Sequence, residues 1–268
     1  DYNSTTETLF PSPRLGLLVV PHRRLSGKIL YGRAFRAPSV RELLVEVATE
    51  EDGSYKFTAS NGALQPETID TLETELRWEP NDAFESRFVA FASLLGSSIS
   101  KSNAPNQYIN RGGATVVGGE LESRVQLGDF SSKASYSLMW GRDSETGYPI
   151  YGYPPHMGHL RSSYRLQEKL QVNVEFDAYS AQPRADWAPD SKAPDGAPYW
   201  VAHLGLSSGP IGDSNVRFDA SVRNIFNTAA PSLVYVERAN ALSDGNRKYT
   251  QDIEREGRFF RVNMDIRF

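Results

Sequence analysis

Few residues in this chain have the type and spacing to do chemistry. The histidines are His22, His156, His159 and His203. His156 and His159 stand three apart at a loop-to-strand junction, and on a strand that spacing points them to opposite faces. They are therefore not expected to share a metal ion. Serine, histidine and aspartate are scattered, with no nucleophile elbow and no metal-ligand spacing. There is no cysteine, which removes thiolate chemistry and any disulfide framework. The sequence thus predicts no enzyme activity, no metal and no cofactor. What is left is recognition. Tyr148, Tyr151 and Tyr153 lie on a Gly- and Pro-rich loop, and rigidly held tyrosines can stack on a flat ligand or a sugar. Arg184 and Trp187 on the next long loop, and Tyr235 and Arg238 on the last, are further candidates. The plainer role for all of these is loop packing or an interfacial girdle.

The elements that would position such loops are strands. In the closing stretch Phe260, Val262, Met264, Ile266 and Phe268 alternate with Arg261, Asn263, Asp265 and Arg267, the period of a strand with one oily face. The same alternation runs through Thr68–Trp78, Phe84–Leu95, Ala114–Leu127, Phe130–Trp140, Leu170–Ser180 and Asn215–Asn224. With Arg14–Val20, Leu25–Phe35, His159–Leu166 and Tyr199–Leu206 this makes about eleven strands. Gly128-Asp129 is a two-residue turn signal. No helical pattern of useful length appears.

The chain has 268 residues, 39% hydrophobic and 23% charged, with a mean hydropathy of -0.47. The longest apolar run, near Leu15–Val20, is far short of the roughly 20 residues of a membrane helix. A barrel in lipid can be this polar because half of each strand faces its lumen. The net charge of -4 gives no footing for a nucleic-acid partner. Short and long connections alternate along the whole chain, the asymmetry of a barrel with tight turns on one membrane side and loops on the other. The oily face stays uncharged over about five alternate positions in nearly every strand, the height of the ~25 Å lipid-facing band. Trp78, Trp140, Tyr164 and Trp200 fall near strand ends on that face, where aromatic girdles belong. The fold class expected is all-β: an antiparallel up-and-down transmembrane β-barrel.

Several words in the sequence then match one family. Tyr31-Gly32-Arg33-Ala34-Phe35-Arg36-Ala37-Pro38, Arg41-Glu42-Leu43-Leu44, Leu64-Gln65-Pro66-Glu67-Thr68, Gly118-Gly119-Glu120-Leu121-Glu122 and Asn224-Ile225-Phe226-Asn227 occur in this order, with Phe268 at the end. Together they resemble the TonB-dependent outer-membrane receptors. The motif residues Phe35, Arg36, Ala37, Pro38, Pro66, Glu67, Asn224, Phe226 and Phe268 are read as structural. The resemblance implies a 22-stranded barrel holding an N-terminal plug, with this chain, residues 1–268, as its second half. The plug, the TonB-contacting motif and the first half of the barrel are expected to be missing. The first residue, Asp1, is expected to follow processing or truncation.

By the same resemblance the function expected is energised uptake of a scarce ligand at a bacterial cell outer membrane. A ferric siderophore is the default ligand, with cobalamin or an oligosaccharide as alternatives. The expected partners are outer-membrane lipid, that ligand, the TonB complex through the missing region, and the barrel-assembly machinery through the last strand. The fragment alone is not expected to transport. Haem receptors of the family carry a word similar to Phe35–Pro38 and a histidine in the loop that follows; here Ser39–Ser60 contains none, which counts against haem. The lumen-facing charges Glu73, Glu75, Glu120, Glu122, Arg217 and Arg223 are expected to pair with the plug or with neighbouring strands. The other readings are a passive porin or small self-assembling barrel, which an odd strand number disfavours, and a soluble β-rich binding module.

Overall fold

The computed structural model describes residues 2–3, 8–44, 47–51, 54–58, 61–103, 106–150, 152–166, 169–183, 196–210, 216–229, 231–232, 253–254 and 257–266. Eleven strands form one antiparallel sheet. They are β1 (Arg14–His22), β2 (Leu25–Arg36), β3 (Glu67–Asn81), β4 (Phe84–Gly96), β5 (Ala114–Leu127) and β6 (Phe130–Asp143). The rest are β7 (His156–Leu166), β8 (Leu170–Tyr179), β9 (Tyr199–Ser208), β10 (Val216–Arg223) and β11 (Phe259–Ile266). Every strand pairs with its neighbour in sequence. The sheet is open: β1 and β11 each have one partner strand.

The alternation in sequence sets the two faces. Leu72, Leu76 and Trp78 on β3, Phe88 and Leu94 on β4, and Phe260, Val262 and Met264 on β11 are exposed on one face. On the other, the side chains of Glu75 and Glu122 keep only 13% and 19% of their surface. Side chains crowd on a concave face and splay on a convex one, so the polar face is the inner wall and the apolar face the outer. In water an apolar surface this wide would drive association; in lipid it is satisfied. One exception lies at the β1 edge, where Leu18 and Val20 point opposite to Leu15 and Leu17, and all four are exposed.

The outer face is bounded by aromatics. Trp78 meets Phe84 edge-on at 5.8 Å near the short-turn end. At the long-loop end Trp140 packs on His156, and Trp200 lies between Phe176 and Phe226. Above this level β2 and β3 carry an outward ion pair, Arg33 with Asp70 at 3.7 Å. The apolar band therefore ends about where β2 has risen ~25 Å from its turn.

Two local features fix the pairing. Gly128, at φ +57°, closes the β5–β6 turn, a conformation costly for other residues. Gly118 sits under Phe91: a Cβ there would stand 2.5 Å from Phe91 Cζ and 2.6 Å from the Leu138 carbonyl oxygen. Gly118 is thus a packing requirement of the inner wall.

The polar connection over residues 36–65 is not a plain loop. It holds the helix α1 (Val40–Leu44) and a hairpin of Val47–Glu51 with Ser54–Thr58. The next long connection holds a second hairpin, Ile99–Asn103 with Asn106–Asn110. Helix α1 begins in a capping box: Ser39 accepts from the Glu42 N–H, and Glu42 Oε2 accepts from the Ser39 N–H at 2.6 Å.

Candidate functional site

At the long-loop end the family words converge. Arg36, the last residue of β2, donates from Nε to Glu67 Oε2 at 2.5 Å and from Nη1 to Glu42 Oε2 at 3.1 Å. Glu67 Oε1 accepts the Ile99 N–H at 2.6 Å. Asn110 then ties the second hairpin back, accepting from the Gln65 N–H and donating to the Gln65 and Ser97 carbonyls. Leu43, Leu64, Pro38 and Pro66 are buried beneath this web, and Phe35 packs on Phe10 with ring centroids 5.0 Å apart. Burial pushes the Glu42 carboxyl up, but its hydrogen bonds from Arg36 and Ser39 outweigh that and hold it below the usual carboxylate range. The words around Arg36, Glu42 and Glu67 therefore build the rim over the wall.

The tyrosine loop stands on the same rim. Asp143 Oδ1 accepts from the Glu145 and Thr146 N–H groups, closing a turn that carries Tyr148. Tyr148 is 56% exposed. Tyr153 is half-buried, so these two are not equivalent. Gly152 donates to the Pro183 carbonyl at 3.2 Å, joining this loop to the next. Tyr151, Arg184, Trp187, Tyr235, Arg238 and Phe268 lie outside the described residues.

The inner wall carries a polar belt. Lys28 bonds Glu75 at 2.9 Å, and Arg87 lies 3.8 Å from Glu75 and 4.0 Å from Glu122. Glu122 also holds Lys133 at 2.7 Å and Arg124 at 2.9 Å; Arg161 pairs with Glu175 at 3.0 Å. Of the charges expected on this wall, Glu75 and Glu122 pair with neighbouring strands. Glu73, Glu120, Arg217 and Arg223 make no ion pair among the described residues. Exposed pairs contribute only about 0–1 kcal/mol each, so the belt sets the character of the wall more than its stability.

Sequence reasoning missed one arrangement in this belt. His159 on β7 and Asp177 on β8 are register partners, and His159 Nδ1 lies 2.6 Å from Asp177 Oδ1. A carboxylate only accepts, so Nδ1 carries the proton. On β9, His203 Nε2 lies 3.4 Å from Asp177 Oδ2. His203 Nδ1 accepts the Asn224 N–H at 3.0 Å, which leaves the His203 proton on Nε2. Asn224 is buried, at φ +48°, and its side chain exchanges two bonds with the Thr228 backbone. His156 stands on the opposite face, bonded to the Tyr136 hydroxyl, as the three-residue spacing predicts. Among the described residues no group of three or more His, Asp and Glu gathers as a metal cluster.

Comparisons with known proteins agree with this geometry. The profile of a family described as TonB dependent receptor-like, beta-barrel, matches residues 1–225. Heme/hemopexin utilization protein C of Haemophilus influenzae (strain 86-028NP) is 24% identical over 224 residues, covering 73% of this chain and 31% of that protein. The siderophore receptor PirA of Acinetobacter baumannii superposes with a TM-score of 0.72 at 17% identity, over 94% of this chain and 40% of its own. A mutant of the ferric enterobactin receptor PfeA of Pseudomonas aeruginosa gives 0.74 at 16% identity, over 94% and 39%. This chain therefore spans between 31% and 40% of these relatives' length.

Proposed function

The chain belongs to the TonB-dependent receptors, a family of transporters and not of enzymes, and from that membership we propose that it serves energised uptake of a scarce ligand across a bacterial outer membrane. The observation that carries the reading is the eleven-stranded sheet with an apolar outer face and a belted polar inner wall. Residues 1–268 are then part of one barrel domain, its second half, with plug and remaining strands elsewhere in the receptor. Coverage of 40% or less of the solved relatives supports that division. Outer-membrane lipid meets the outer face, the barrel-assembly machinery acts on the last strand, and TonB engages the receptor outside this chain.

The ligand class proposed is a ferric siderophore, captured by Tyr148, Tyr151 and Tyr153 with Arg184, Trp187, Tyr235 and Arg238 on the neighbouring loops. PirA and PfeA, which carry siderophore names, support the class. The test is growth of an iron-starved strain dependent on the complete receptor, supplied with a ferric catecholate. Growth that requires both the receptor and TonB, with binding weakened in Tyr148→Ala, is expected. Growth independent of TonB, with ion conductance from the purified protein, would establish the passive porin instead.

A further inference from the structure

We infer that His203 is an acid-sensitive latch between β9 and the turn that leaves β10: a second proton on its imidazole releases that turn at Asn224. The Asn224 backbone N–H can only donate, and its partner is Nδ1 of His203 at 3.0 Å. The bond exists only while the ring is neutral, because a protonated imidazole carries N–H on both nitrogens and accepts nothing. Asn224 is 4% exposed, so water does not replace the lost acceptor unless the turn moves. The turn is built on this residue. Asn224 stands at φ +48°, in the left-handed region that asparagine tolerates. Its side chain exchanges bonds of 2.8 and 2.9 Å with the Thr228 backbone, and its carbonyl accepts the Asn227 N–H at 2.9 Å. Asn227 Oδ1 in turn accepts the Arg258 N–H at 2.8 Å, beside the start of β11. The exit of β10 and the entry of β11 are thus tied to one imidazole, with the Ile225 N–H on the Ala202 carbonyl as a second tie to β9.

The groups around the ring decide which proton matters. From β8, Asp177 Oδ2 stands 3.4 Å from His203 Nε2, and Glu175 is the register partner of His203. From β7, His159 shares Asp177 at 2.6 Å and Arg161 holds Glu175 at 3.0 Å. Tyr199, on β9 itself, is buried and stacked on Tyr179 of β8 at 4.7 Å. Arg223 closes β10 one place on from the Leu204–Val222 pair and so shares the face of His203. Arg261 on β11 pairs with Ser221 on that face. The two histidines use one carboxylate but differ in what a further proton does. On His159 it goes to Nε2 and breaks no bond among the described residues. On His203 it goes to Nδ1 and sets two donors against each other, so the Asn224 N–H must turn away. Every group in the latch is bonded within this chain, and the inference depends neither on the plug nor on which ligand the loops capture.

Amide exchange of the complete receptor in detergent, followed from pH 8 to 5 and corrected for intrinsic rate, tests the latch without any transport step. In the wild type, exchange at the Asn224, Asn227 and Thr228 amides should rise roughly tenfold as pH falls, the effect of losing one buried hydrogen bond. The β5–β6 hairpin should stay flat. His203→Asn keeps an acceptor near the Nδ1 position and takes no proton, so it should hold the turn closed over the whole range. His159→Asn should keep the rise. Nitrogen NMR of labelled histidine in the wild type reads the ring directly and needs no variant to fold. His203 should show a bare Nδ1 at pH 8 and two protonated nitrogens at pH 5, changing over the interval in which exchange rises. A flat wild type, a rise that persists in His203→Asn, or a rise while the His203 ring stays neutral would overturn the latch. Each of these leaves the uptake reading standing, because growth on the iron chelate is measured separately.

Discussion

Arg36 and Glu67 meet at 2.5 Å although 31 positions separate them in the chain. One closes β2 and the other opens β3, and they are register partners. Their pairing fixes the path of everything between them. Arg36→Ala should loosen α1 and the Ile99 hairpin while leaving the sheet intact. The pair is partly exposed, so the global loss should be on the order of 1 kcal/mol. Limited proteolysis over residues 37–66 should accelerate well before heat unfolding of the barrel shifts. Equal cleavage in variant and wild type would contradict the clamp.

Acid should open the same rim. The Glu42 carboxyl lies below the ordinary range in the folded chain. A group lowered on folding adds stability above its unfolded value, about 4.3 for glutamate, and that stability is lost as pH falls through the folded value. Amide exchange at Ser39 and Glu42, corrected for intrinsic rate, should be flat from pH 7 to 5 and rise in more acid solution. Glu42→Gln should abolish the step.

The two faces should respond differently to charge. Phe88 is 47% exposed on the outer face, and Phe88→Arg should cost roughly 2–4 kcal/mol if it stands near the bilayer centre. Glu73→Arg, on the inner wall, should cost less than about 1 kcal/mol. Equilibrium unfolding in phospholipid vesicles reads both. Equal penalties would mean that the faces are assigned wrongly.

Gly118→Ala should destabilise by about 1–3 kcal/mol through overpacking. Phe91→Ala in the same chain should restore only part of this. The Phe91 ring can move away, but the Leu138 carbonyl, 2.6 Å from the added Cβ, belongs to the neighbouring strand. A double-mutant cycle measures the split, and full restoration would show that the backbone contact is harmless.

Most strands were legible because period 2 is written into them, as in Leu72, Leu76 and Trp78 against Glu73, Glu75 and Arg77; β1 is the exception. Short turns such as Gly128-Asp129 announced themselves too. Helix α1 did not, because five residues hold too little periodicity to stand out from a polar stretch. Its only signal was the Ser39 and Glu42 spacing of a capping box. The words containing Arg36 and Glu67 could be recognised singly, but their contact is a matter of register. The same holds for His159, Asp177 and His203. They lie on three strands, and only the pairing of β7 with β8 and β8 with β9 assembles them. Sequence spacing set His159 beside His156, which the strand period turns to the opposite face.

The strictly sequential order of the sheet also governs how such a wall can change. From β2 to β10 each strand's partners are the strands just before and after it, so none of these depends on a distant strand for its place. A strand pair joined by a tight turn, such as β5 and β6 across Gly128, can be excised and the flanking strands brought together with direction preserved. Insertion works the same way. The natural unit of gain and loss is therefore the hairpin, and a lineage built on this plan can widen or narrow its pore two strands at a time without redesigning the remainder.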